Sequence, residues 1–478
     1  MENPQSALAG TAPPAAADWV SVAHEIGDVP EPDAAVAAAE QAAARRRARA
    51  LDLPADALGR LGDVAVWLAA AQGVSPPRPI TRARAVLVAA DHGIADAGLY
   101  PWPAGATARR IAAVESGASA LAVLARRAGI GLRLVDVAVA APAASDASAP
   151  DTPASGDVVP DDVASTPDAS TPDVAAPADV VSAGLGEAEA PTGDVVVAAP
   201  TVVEDAGADD VAGADDVAAE ADAAEAAAVA GPGDPGAESP AGPPAKAGYR
   251  VRPGNGRIDR EDALSVAEVD RALAVGRRLA DEEIDAGADL LVTGALGVGA
   301  DTAAAVVVAA LRDAEPIDVV DRGDGGDDER WMLRTAAIRD ALRRTRPFAT
   351  APRSVLRVAG GADLAALAGL LVQAALRRTP VIIDGRAACA AALAAERMAP
   401  GARAWWLVGG DCPDPAARQA VAALGLTPLV DLGIRAEDGT GALAAAALAM
   451  VAVETAADLE AAAAAAPLPG GVDTADVT

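Results

Sequence analysis

Three loops carry residues whose types and spacing suit chemistry. The first holds Asp91, His92 and Gly93, followed by GLYPWPAGAT over residues 98–107. It offers a carboxylate, an imidazole and three ring-supporting side chains, Leu99, Tyr100 and Trp102. The second is TGALGVGADT, residues 293–302. Its glycines let backbone N–H groups approach a phosphate at a helix N-terminus, where the dipole favours negative charge. The third, LGIRAEDGTGA over residues 432–442, repeats that logic with two acids, Glu437 and Asp438, ahead of Gly439-Thr440-Gly441. One glycine-rich loop is a weak signal, because most are tight turns. Two, one of them with an acid pair, point to a phosphorylated ligand. Each residue also has a plainer role: such acids pair with a helix dipole, Leu99, Tyr100 and Trp102 anchor a loop, and His92 bonds at a strand end.

The elements that must position these loops follow from apolar periodicity. RAVLVAADHG (84–93) is a short apolar run ending in polar residues, the pattern of a buried parallel strand delivering side chains to a sheet's carboxyl edge. A helix over about 107–128 and the strand LRLVDVAVA (132–140) complete a strand–helix–strand unit. Later come a helix near 266–286, the strand DLLVTGALG (289–297), a helix from Asp301, and the strands PVIIDG (380–385) and AWWLVGG (404–410). Near the N-terminus a charged helix is expected over about 33–50, then a stripe of Leu58, Leu61, Val64, Val66 and Leu68. This alternation predicts an α/β fold, a doubly wound open parallel sheet with ligands beyond the strands' carboxyl ends.

The chain has 478 residues, 38 basic and 69 acidic side chains, and a net charge of −31. Residues 141–245 hold 22 of the acids and no Lys or Arg, so the remainder carries only −9. No basic excess exists to neutralise a nucleic-acid backbone. MENPQSALAG lacks the basic start and apolar run of a secretory signal. The longest strongly apolar run, 442–453, falls short of the ~20 residues of a membrane span. Cys389 and Cys412 cannot build a disulfide framework and suit a reducing cytoplasm. His24 and His92 alone exclude histidine-rich metal sites. Six Trp, two Tyr and one Phe leave the core to Ala, Val and Leu. With one Leu and no Ile, Met or aromatic residue, 141–245 cannot bury enough apolar surface to offset its ordering, and reads as a disordered acidic insertion.

At this point the chain resembles the nicotinate-nucleotide–dimethylbenzimidazole phosphoribosyltransferase family. The matching phrases are LPADALGRL, VLVAADHGIADAGLYPWP, ESGASALAVLARRAGIGLRLVDV, GADLLVTGALGVGADTAAA, DRGDGGDDE, VAGGADLAALAGLLVQAALRRTPVIIDG and LGLTPLVDLGIRAEDGTGA, in the family's order. They cover most of residues 50–140 and 247–453. The organisation expected is a loose N-terminus (1–30), two halves of a transferase domain (31–140 and 246–466) around the insertion, and a loose tail (467–478). The resemblance implies a small helical lobe built from N- and C-terminal helices beside the Rossmann-like sheet.

It also implies transfer of phosphoribose from nicotinate mononucleotide to 5,6-dimethylbenzimidazole in cobalamin nucleotide-loop assembly, by a cytoplasmic homodimer with small-molecule substrates. The pyridinium leaves readily as neutral nicotinate, and the incoming azole needs only its N–H proton removed, so a carboxylate base suffices without metal or cofactor. By the resemblance, Asp438 stands where the family has its catalytic glutamate, and Glu437, the fallback base, replaces a glycine. Gly294, Gly297, Val298 and Gly299 form the phosphate loop, with Ala295 replacing the family's acid and Ala300-Asp301-Thr302 its polar triplet. Arg334 aligns with a lysine near the phosphate, a swap that keeps charge but changes donor geometry, and Gly439, Thr440 and Gly441 complete the nucleotide site. Asp91, His92, Leu99, Tyr100 and Trp102 fall where the family lines its acceptor pocket. Cys412-Pro413-Asp414-Pro415 replaces a Ser-Ala-Glu-Pro stretch whose flanking histidines are here Gly410 and Ala417. Two other readings stay open: a transferase using another azole or a purine, and a non-catalytic nucleotide-binding homologue.

Overall fold

A computed structural model describes residues 26–102, 105–140, 248–322 and 328–466. The expectations of a disordered insertion and a loose tail, and of a loose N-terminus before residue 26, lie outside the described residues. Five strands form the sheet: β1 (Ala83–Ala90), β2 (Gly131–Ala138), β3 (Leu290–Leu296), β4 (Val381–Ile383) and β5 (Trp406–Val408). Their order is β2-β1-β3-β4-β5 and every pairing is parallel. The principal helices are α1 (Ala34–Ala50), α2 (Gly59–Gln72), α3 (Ala106–Glu115), α4 (Ala120–Arg127), α5 (Val266–Asp285), α6 (Ala300–Arg312), α7 (Asp328–Thr345), α8 (Gly361–Leu376), α9 (Gly385–Met398), α10 (Pro415–Leu424) and α11 (Thr440–Ala465).

Period-two alternation sorts the sheet into two buried faces. Val86, Val88 and Ala90 of β1 join the core under α5, α6, α8, α9 and α10. Ala85, Leu87 and Ala89 join the opposite core, under α2, α4 and α11. The N-terminal helices pack with α11 as the small helical lobe, with an Arg47–Glu460 ion pair of 2.9 Å joining α1 to α11. Local caps set the boundaries: Asp33 accepts from the N–H groups of Ala35 and Val36, and Ser265 forms a capping box with Glu268.

The single helix expected over 107–128 is two. Gly117 turns left-handed (φ 76°) after α3, and the Ser119 hydroxyl accepts from Ala122 N–H to start α4. Alanine-rich periodicity hid this break. Two helical stretches, Pro352–Leu376 and Thr440–Ala465, are long and apolar enough to cross a membrane, although the sequence shows no such uninterrupted run. The first is 94% buried over its most apolar window and serves the core, whereas α11 is 44% buried over its own and packs one face against β3, β4 and the N-terminal helices. Alanine cores demand close approach: a Cβ at Gly276 of α5 would stand 1.7 Å from the Ala366 carbonyl of α8, and one at Gly369 would stand 2.1 Å from that of Leu273. The described residues on either side of 141–247 meet beside β2, where Val251 N–H donates to the Val137 carbonyl at 2.8 Å.

Candidate active site

The carboxyl ends of β1, β3 and β4 open onto a cleft of about 1010 Å³. It sits at the β1/β3 switch point, where connections leave the sheet in opposite directions and ligands bind in such folds. The loop after β1 supplies Leu99, Tyr100 and Trp102; the loop after β3 supplies Gly297, Val298, Gly299 and Asp301. Trp331 and Arg334 come from α7, Arg386 from α9, and Glu437 from the segment before α11.

One wall is aromatic and cationic. The Tyr100 hydroxyl donates to Asp301 and lies 2.5 Å from Thr302 Oγ1 at the start of α6, which fixes the ring. Burial, then the Asp301 charge, pushes the Tyr100 phenol far above its ordinary range. The Arg334 guanidinium lies 5.5 Å from the Tyr100 ring centre, and Arg322 lies 4.7 Å from that of Trp331. Arg334 spends one N–H on the Asp321 carbonyl at 3.3 Å, while its buried Nε has no hydrogen-bond partner among the described residues. A cation with an unspent donor beside α6's N-terminus suits an anion.

The floor is carboxylate-rich. Glu437 lines the cleft in a left-handed conformation (φ 54°) that non-glycine residues seldom adopt. Burial pushes its carboxyl up to about 7, against the pull of its ion pair with Arg386 and with the charge of Asp414 adding to the rise. Asp438 faces elsewhere. Its carboxylate accepts from Thr440 N–H at 3.1 Å and Thr440 Oγ1 at 2.6 Å, and it is not among the residues lining the cleft. The left-handed turn at Glu437 sends the two neighbouring side chains different ways: Glu437 lines the cleft, and Asp438, expected there as the base, does not.

The second glycine loop also turns away. Gly441 N–H donates at 3.0 Å to Asp384, which follows β4 and plugs the N-terminus of α11. Desolvation raises the Asp384 carboxyl to about 6 despite the amides of Gly441, Ala442 and Gly385. Gly439, Thr440 and Gly441 therefore do not reach the cleft. Gly294 is glycine for a related reason: a Cβ there would stand 2.0 Å from the Asp438 carbonyl. Asp91 and His92 sit behind the cleft, outside its lining. Asp91 accepts from Thr107 Oγ1 at 2.5 Å and Ala140 N–H at 2.9 Å. His92 Nε2 lies 3.0 Å from Asp363, both side chains being fully buried. Burial opposes charge on the imidazole, but Asp363 outweighs it and holds the pKa above the ordinary value. The His92 backbone N–H donates to the Val298 carbonyl, so the residue supports the glycine-rich loop from beneath.

Sequence reasoning missed Trp331, Asp321 and Arg386. Arg386 had a usable signal, three residues beyond the end of β4 in PVIIDGR, at the carboxyl edge where ligands gather. Asp321 opens the DRGDGGDDE phrase, a signal left unused, whereas Trp331 had none, because α7 comes to the cleft only through tertiary packing.

A parallel sheet with an aromatic, arginine- and carboxylate-lined cleft at its switch point defines an α/β enzyme acting on small molecules. The pattern of the family described as phosphoribosyltransferase matches residues 30–175 and 198–466. The chain belongs to the nicotinate-nucleotide–dimethylbenzimidazole phosphoribosyltransferase family. The enzyme of that name from Mycobacterium tuberculosis H37Rv is 39% identical over 408 residues, covering 85% of this chain and 86% of its own. That of Mycolicibacterium paratuberculosis is 38% identical over 418 residues, 87% of this chain and 90% of its own. The crystal structure of CobT from Thermus thermophilus superposes with a TM-score of 0.61 at 28% identity, covering 88% of this chain and 96% of that one.

Proposed function

We propose that the chain transfers phosphoribose from nicotinate mononucleotide to 5,6-dimethylbenzimidazole, giving α-ribazole 5′-phosphate and nicotinate. Glu437 is the base. The C1′–N bond breaks with its electron pair going to the pyridine nitrogen. The free nitrogen of the azole attacks C1′ from the opposite face while Glu437 accepts the other nitrogen's proton. Arg334 and the amides of Gly297–Gly299 hold the phosphate, and Tyr100, Trp102 and Trp331 stack the rings. Asp301 and Asp321 place negative charge where positive charge develops on the ribose. The observation that carries this reading is Glu437 itself, held in a rare backbone conformation on the cleft wall and tuned to about 7. We assign the protein to the cytoplasm, as a homodimer, on its family membership.

The test is purified protein with both substrates and chromatographic detection of α-ribazole phosphate. Product formed with dimethylbenzimidazole supports the assignment. Product only with another azole or a purine moves it to a different acceptor, and nucleotide binding without turnover on any acceptor overturns it.

A further inference from the structure

Arg386 opens α9 just beyond β4, with 18% of its side chain exposed. Four carboxylates from four separate segments of the chain converge on it. Its Nε donates to Glu437, and an Nη lies 3.1 Å from Asp414, 3.7 Å from Asp321 and 3.9 Å from Asp301. These four carboxylates share one guanidinium, which is always charged. The preceding residues serve the same segment: Asp384 plugs α11, and a Cβ at Gly385 would stand 2.7 Å from the Glu437 carbonyl. Asp384-Gly385-Arg386 thus grips the loop before α11 at its helix, its backbone and its carboxylate.

We propose that Arg386 is a positioning residue for the transfer: it aims the Glu437 carboxylate and sets the pH at which that carboxylate is free to take the acceptor's proton. The inference rests on Glu437 being the base. Other groups act on Glu437 as well. Asp414 and Asp301 repel its charge from the α10 and α6 sides. The Cys412 thiol, pushed up to about 12 by burial, and the buried Cys389 thiol stay neutral near pH 7. Arg435 lines the cleft two residues earlier on the same loop. Arg386 favours ionised Glu437 and Asp414 opposes it, so neutralising each must move the titration in opposite directions.

The experiment is the pH profile of turnover for the full chain, its Arg386→Gln, Asp414→Asn and Arg386→Lys variants, and Glu437→Gln as reference. The substrates titrate identically in all of them, so differences belong to the protein. Arg386→Gln should move the acid limb up by about one pH unit or more, since an opposite charge in contact shifts a carboxyl by roughly one to three units, and Asp414→Asn should move it down by less, because the Asp414 charge ranks behind that of Arg386. Arg386→Lys should keep the limb near wild type with lower kcat. Asp414 also accepts from Ala417 N–H at 2.8 Å, a bond asparagine keeps, so that variant should fold where Arg386→Gln does not. Opposite displacements support the inference; limbs that coincide with wild type, or move together, overturn it. Loss of turnover in Glu437→Gln with unmoved limbs discards only the role of Arg386. Full turnover in Glu437→Gln discards the base assignment, and this inference with it.

Discussion

Two glycine-rich loops that read almost alike behave differently. Both precede a helix whose N-cap is a left-handed glycine, Gly299 at φ 92° before α6 and Gly439 at φ 104° before α11. The first lies along the cleft with its helix start beside the arginines; the second has its donors taken by Asp384. A helix N-terminus offers unpaired N–H groups in every case. Whether a ligand may use them depends on whether the protein has already supplied an anion, and Asp384 lies more than fifty residues away in sequence. The acid pair divides the same way: Glu437 goes to the open side, Asp438 to the plugged one.

The sharpest way to break this contrast is to neutralise each acid in turn. Glu437→Gln should lower kcat by roughly 10²- to 10⁴-fold, the usual scale for losing a general base, while Asp438→Asn should cost less than about tenfold because asparagine keeps the Thr440 bonds. Steady-state rates at pH 8 decide it, and inactive Asp438→Asn beside active Glu437→Gln would reverse the assignment. Arg334→Ala tests the open loop: KM for the nucleotide should rise roughly 10- to 100-fold with little change for the azole, in line with one or two charge-assisted bonds. Equal effects on both substrates would remove Arg334 from the phosphate site.

The plugged loop is read through stability. Asp384 is raised from 3.8 to about 6 in the fold, so the native state holds its proton more tightly than the unfolded chain. Its contribution is most favourable below pH 4 and is lost as pH rises through 6, by about 3 kcal/mol at neutrality. Asp384→Asn carries no such cost. Its stability relative to wild type should therefore improve between pH 4 and pH 7.5, measured by urea unfolding, and a difference that does not change with pH would refute the strained plug.

The sheet and most helices were legible because the apolar runs ending at Asp91, Gly297, Gly385 and Gly410 carry their own punctuation. Leu99, Tyr100, Trp102 and Gly297–Gly299 were picked out by type and loop position and Arg334 only by the family resemblance, and all of them line the cleft. Side-chain direction was not. Which of Glu437 and Asp438 faces the cleft depends on a left-handed turn at Glu437, held by Arg386 and by close backbone approach at Gly294 of β3 and Gly385 of α9. His92 read as a ligand-facing imidazole, because its buried partner Asp363 lies on α8, far along the chain.

The backbone contact between α5 and α8 bears on how this protein can drift. In cores built from leucine and phenylalanine the commonest injury is a hole left by a smaller residue. Here the two helices touch backbone to backbone over glycine and alanine, so at those positions no side-chain bulk remains to lose. The harmful direction is growth, since an added methyl at Gly276 or Gly369 meets a carbonyl that cannot step aside. A lineage carrying this core can exchange small residues for one another but is held away from the larger ones its relatives might use.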